Sequence, residues 1–125
     1  MIIGYARVST AGQDLEVQRA VLLDLGVSQE RIYTDFGFSG KSLSRSGLDQ
    51  ARAAVRAGDT FIVPKFDRLA RNVEDALAVM RELTDAGVVL QIGRQTYDPA
   101  DPMSKMVMTI LAAVAEAEGG WISLR

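Results

Sequence analysis

The chain has 125 residues, no Cys and no His, and 14 Lys and Arg against 16 Asp and Glu, for a net charge of −2. That is one domain's length, with 48% hydrophobic residues to build a core. The missing residue types exclude disulfides, thiolate nucleophiles, Cys- or His-ligated metals and a Ser-His-Asp triad, leaving acid–base work to Asp, Glu, Lys, Tyr, Arg or water. No apolar run approaches the ~20 residues of a membrane span and the N-terminus lacks a signal-peptide pattern, so a cytoplasmic protein without a membrane partner is expected.

Strand-like and helix-like segments alternate. Residues 2–8 (IIGYARV) form an apolar strand bounded by Ser9, Thr10 and Gly12. Residues 14–25 read as a helix capped by Asp14 and ended by Gly26, and residues 31–35 as a short strand. Residues 36–47 form a loop with three Gly and four Ser, long enough to suggest a functional segment. A helix over 48–57 stops at Gly58, and a buried strand follows over 60–66. Pro64 cannot donate to a sheet ladder, so it belongs at an edge, a bulge or a strand end. A helix over 73–86, capped by Asn72, ends at Gly87; strand 88–92 and a loop over 93–102 lead to a last helix from Met103. This alternation predicts a single α/β domain with a mainly parallel central sheet and helices on both faces. Such sheets bind ligands at the carboxyl ends of their strands.

The last helix carries Met103, Val107, Ile110, Val114, Ala117, Trp121 and Leu124 at alternating spacings of four and three, a coiled-coil seam. Met106, Leu111 and Ala113 widen that surface, so one face is expected to cover the domain's own sheet and the other to meet a partner. Gly119 and Gly120 interrupt it, at roughly 1 kcal/mol each relative to Ala.

Charge is unevenly placed. Residues 41–71 hold seven basic and three acidic residues, a local +4, while the rest of the chain carries −6. That pattern fits either a solvated helix face or a specific anion site. Three stretches at strand ends carry reactive groups. In Tyr5–Thr10, Ser9 leaves a buried strand with Arg7 two residues back on the same side. Ser9 alone could be a turn or capping serine. An Arg in an apolar strand must instead be paired or face an anion. In Lys65–Asn72, Arg68 and Arg71 lie just before a helix N-terminus, where cations are unfavourable unless an anion such as phosphate is bound. In Ser39–Leu48, Arg45 precedes a helix start. Gln18 shares a buried stripe with Leu15, Leu22 and Leu25, where its simplest role is to satisfy a backbone group; orienting a neighbouring site residue is the other. No Walker A, GxGxxG or HExxH motif is present. A serine hydroxyl among arginines suits phosphoryl transfer, because guanidinium groups bind non-bridging oxygens and stabilise the charge of the transition state.

At this point YARVST (5–10), TDFGFSGKSLSRSGLDQ (34–50) and VPKFDRLARN (63–72) resemble the catalytic domain of serine recombinases, the resolvase and invertase group, and KMVMTILAAVAEAE (105–118) is similar to that family's long dimer helix. The resemblance implies site-specific cleavage and rejoining of double-stranded DNA through a 5′-phosphoserine intermediate, with no metal or nucleotide cofactor. It implies Ser9 as nucleophile; Arg7, Arg45, Arg68 and Arg71, with Lys65, on the DNA phosphate; Asp67 orienting arginines or moving a proton; and Gln18 and Tyr5 in support. It implies a homodimer through Met103, Met106, Val107, Ile110, Val114 and Trp121, and a tetramer in the synaptic complex. Resolution, inversion, transposition and integration all stay open as outcomes. The chain divides on this reading into a catalytic core at 1–102 and the start of the oligomerisation helix at 103–125. On this reading the chain is expected to lack a C-terminal DNA-binding module, and Glu118 is followed by Gly119 and Gly120 where the family usually carries an acidic–basic pair near 118–119. The alternatives are a cleavage-deficient dimerisation module of the same fold and an unrelated α/β binder of a phosphorylated ligand.

Overall fold

The computed structural model describes residues 1–9, 12–37, 46–70, 72–110 and 113, with the side chain of Val73 left aside. Four parallel strands, β1 (Ile2–Val8), β2 (Ile32–Phe36), β3 (Thr60–Val63) and β4 (Val89–Ile92), and one antiparallel strand, β5 (Gln95–Tyr97), form a sheet in the order β2-β1-β3-β4-β5. Helices α1 (Gly12–Asp24), α2 (Ser46–Ala54) and α3 (Val73–Asp85) connect the parallel strands, and a further helix, α4, covers residues 102–110.

The strand order dictates where the helices lie. From β1 the chain moves outward to β2, then returns past β1 to β3, and right-handed crossovers in opposite directions place their helices on opposite faces. One face packs α2 and α3 through Leu48, Ala51, Ala76, Val79, Met80 and Leu83 onto Ile3, Tyr5, Phe61, Val63 and Leu90. The other packs Leu22 of α1, with half-buried Leu15 and Leu25, onto Ala6, Val8 and Ile62. Each large side chain buried this way stabilises the fold by about 1.5–3 kcal/mol. The same reversal of winding opens a crevice beyond the carboxyl ends of β1 and β3, the general ligand position in such sheets.

Several boundaries differ from expectation. Helix 48–57 is Ser46–Ala54, because Asp35 supplies its N-terminal cap from outside its own sequence. The strand expected over 60–66 ends at Val63: Pro64 does stand at a strand end, and Phe66–Arg68 form a 3-10 turn. The loop expected over 93–102 contains β5, a three-residue edge strand too short for a periodic signal. Helix 14–25 begins earlier, at Gly12, so Asp14 lies inside its first turn and is not its cap. Asn72 does cap α3, its side chain accepting a 2.8 Å bond from the Asp75 N–H. Gly87, at φ +79°, turns the chain out of α3.

The last helix packs against α3, not over the sheet. The Thr84 hydroxyl meets Met108 Sδ at 3.2 Å, and Ser104 is buried. Met103, Met106 and Ile110 stay exposed and Val107 half-buried, so the described part of the predicted seam is uncovered. Val114 and Trp121 lie outside the described residues. Among the described residues no helix is long and apolar enough to cross a membrane.

Candidate active site

Three groups meet beyond the carboxyl ends of β1 and β3. Ser9 directly follows β1, Arg68 closes the 3-10 turn after β3, and Asp14 stands in the first turn of α1. The Asp14 carboxylate joins them. Its Oδ2 accepts from the Ser9 backbone N–H at 2.7 Å and from Arg68 Nη1 at 2.7 Å, and its Oδ1 accepts from Gln18 Nε2 at 3.2 Å. The Ser9 bond does most to hold the Asp14 carboxyl below the usual carboxylate range; Gln18 and Arg68 add to it, and partial burial opposes it. The Arg68 and Asp14 side chains are 19% and 17% exposed, so water screens this pair far less than one on the surface.

Arg7 projects from β1, its Nη1 donating to the Gly37 carbonyl at 3.1 Å just past β2. Gln18 is buried at 4% exposure and serves a carboxylate, not a backbone group; the simpler role expected of it does not hold. Its Oε1 has no hydrogen-bond partner among the described residues. Asp67 is 73% exposed and sits 3.8 Å from Arg68 Nε, a looser neighbour than Asp14. Lys65 is exposed. Arg45 and Arg71 lie outside the described residues. The structure therefore brings together Ser9, Arg68 and Gln18, with Arg7 on the same strand end.

A second carboxylate supports the neighbouring wall. Asp35, buried in β2, accepts from Tyr5 Oη at 2.9 Å and from the Gly47 and Leu48 N–H groups at 2.8 and 2.9 Å. It fixes the α2 N-terminus to the sheet. Gly47 permits that approach, because a Cβ there would lie 2.3 Å from the Thr34 carbonyl oxygen. Tyr5 thus acts through Asp35.

Asp14 and Asp35 were both missed as site residues in the sequence reading. Asp14 stands four residues before Gln18, a spacing that pairs side chains on one helix face. Asp35 is an acid in an apolar strand, where, as for Arg7, a charge must be paired.

The Resolvase, N terminal domain family matches residues 2–125. The chain belongs to this resolvase family. Its relatives include the Transposon Tn3 resolvase of Escherichia coli, 44% identical over 117 residues, covering 94% of this chain and 63% of that one. The Serine recombinase gin of Escherichia phage Mu is 35% identical over 118 residues, covering 94% and 60%. The chain thus spans a little under two thirds of the length of these relatives. Among solved structures, the N-terminal catalytic domain of TP901-1 integrase superposes with a TM-score of 0.72 at 29% identity, covering 96% of this chain and 97% of that one. A resolvase family site-specific recombinase from Streptococcus pneumoniae gives 0.70 at 28% identity, covering 98% and 90%. The five-stranded, mainly parallel sheet described above is accordingly the resolvase catalytic-domain fold.

Proposed function

We propose that this resolvase domain cuts and rejoins double-stranded DNA at specific sites, with Ser9 as the nucleophile. The observation that carries the reading is the coupling of Ser9 to Arg68 through one carboxylate at the switch point of the sheet. In the proposed step Ser9 Oγ gives up its proton and attacks the DNA phosphorus, the bond from phosphorus to the 3′ oxygen breaks, and the departing 3′ oxygen takes a proton to become a hydroxyl. The serine holds the 5′-phosphate as an ester, and the reverse attack by a 3′ hydroxyl rejoins the strand. Because one phosphate ester replaces another, the exchange needs no external energy source. Arg68 and Arg7, joined by Arg45 and Arg71, would bind the non-bridging oxygens and stabilise the added charge in the transition state. Asp67, exposed beside Arg68, is the candidate proton carrier, and Lys65 a further phosphate contact.

The exposed Met103, Met106 and Ile110, with half-buried Val107 among them, support assembly of copies through α4: a homodimer, and a tetramer on paired DNA sites. Ile110→Asp should shift sedimentation from dimer to monomer. The family's setting makes the cytoplasm the expected compartment.

The test of cleavage is covalent trapping. The 125-residue chain is joined to a DNA-binding module of known specificity and given DNA with paired sites. The expected product is a denaturant-resistant protein–DNA adduct that Ser9→Ala eliminates. An adduct that persists in Ser9→Ala, or a DNA-bound fusion that never forms one, would overturn the reading.

A further inference from the structure

We infer that Asp14 is a positioning residue for strand cleavage, an inference that rests on the reading of Ser9 as nucleophile: its carboxylate sets the Ser9 backbone and the Arg68 guanidinium in one fixed arrangement, so that the nucleophile and a hydrogen-bond donor to the phosphate meet DNA as a unit. A single oxygen, Oδ2, takes both the Ser9 N–H and Arg68 Nη1 at 2.7 Å. Its partner oxygen is held by Gln18, which is itself buried. The platform beneath is firm, because Leu22 on the same helix is fully buried against the sheet.

Helix capping does not account for this geometry. The α1 helix begins at Gly12, and an acid in its first turn already interacts favourably with the helix end without reaching out. The Asp14 side chain instead turns back to the end of β1. Nor is Asp67 an equal substitute: at 3.8 Å and 73% exposed, it offers Arg68 a solvated and loosely directed contact. A guanidinium carries five N–H donors in a rigid fork, so a bond to Asp14 is compatible with a second bond to an incoming phosphate oxygen. The carboxylate thereby fixes the plane of the fork before DNA arrives. Misplacing a reacting group by about 1 Å costs on the order of 10²-fold in rate.

The experiment measures single-turnover adduct formation by the same fusion, with Asp14→Ala and Asp14→Asn each placed beside Arg68 and beside Arg68→Lys. Asp14→Ala should slow adduct formation about 10–100-fold, with DNA binding by the fused module unchanged. Asp14→Asn keeps an oxygen for the Ser9 N–H but loses the charge that faces Arg68, so its loss should be smaller; being nearly isosteric, it carries the test if Asp14→Ala fails to fold. In the Arg68→Lys background the Asp14→Asn loss should shrink to about twofold or less, because residues acting as a pair are not additive. Equal loss in both backgrounds would mean that Asp14 merely supports the fold, and a parental rate for Asp14→Asn would equally overturn the inference. A parent fusion that forms no Ser9-dependent adduct removes the reading of Ser9 and the inference together, whereas a Ser9-dependent adduct that is indifferent to Asp14 removes the inference alone.

Discussion

Asp14, in the first turn of α1, and Asp35, in β2, each accept three hydrogen bonds. Asp35 takes two backbone N–H groups and a tyrosine hydroxyl, all neutral and all within the core wall. Asp14 takes one backbone N–H, one amide and a guanidinium, and its side chain keeps 17% of its surface open. The first arrangement fastens a helix to a strand and is complete in itself. The second ties down a cation that a phosphate would also seek. Identical chemistry at the carboxylate therefore yields architecture in one place and a preset binding group in the other. The identity of the donors makes the difference.

The largest effect that would separate the two belongs to Arg68. Arg68→Ala should lower the rate of adduct formation about 10²–10³-fold, the usual loss for one transition-state donor, while urea unfolding shows a much smaller proportional change. Equal damage to rate and stability would make Asp14 and Asp35 the same kind of residue. Asp35→Ala should act the other way. It strands two buried N–H groups at the start of α2, at about 1–3 kcal/mol each, and should lower the urea midpoint clearly. An unchanged midpoint would mean that α2 is held by packing alone. Asn72→Ala offers a calibration outside both hubs: it removes only the α3 cap and should cost about 1 kcal/mol by the same measurement.

The smallest effect is a titration. The Asp14 carboxyl is held below 3.8, so its ionised form is favoured by the fold. That stabilisation is fully present above the ordinary carboxylate range and is lost as pH falls through the lowered value. The Ser9 amide resonance, followed by NMR against pH, should therefore titrate with its midpoint below the ordinary carboxylate value of 3.8. A midpoint at or above that value would show that the Ser9 and Arg68 bonds do not hold the carboxylate in solution.

Much of this fold was legible because its signals are local. Apolar strands, the Asn72 cap and the glycine after α3 each declare themselves within a few residues. Pro64 marked an edge, a bulge or a strand end for the same reason, since the ring lacks a donor wherever it stands, although the strand was expected to run on to residue 66. The start of α2 was misread because Asp35, eleven residues upstream of Ser46, supplies the cap, and no window along the chain shows that pairing. The site was legible in part. Ser9, Arg7 and Arg68 stood out as a hydroxyl and cations at strand ends, where charge demands an explanation. Asp14 passed as a helix cap, since an acid near a helix start has an ordinary reason to be there. Its bond to Arg68 spans 54 positions of sequence and exists only once β1 and β3 lie side by side.

The Asn72 cap bears on how the product of the proposed strand exchange would be let go. Its side chain already occupies the Asp75 amide at the start of α3, so that donor is committed within the protein. The groups proposed above to bind phosphate are arginine side chains, Arg68 among them. A helix end cannot be withdrawn without unwinding the helix, whereas a side chain moves by rotation about single bonds. On the proposed reading, a phosphate held by arginines would be handed back to the DNA while α3 stays intact, without any part of the scaffold having to reopen.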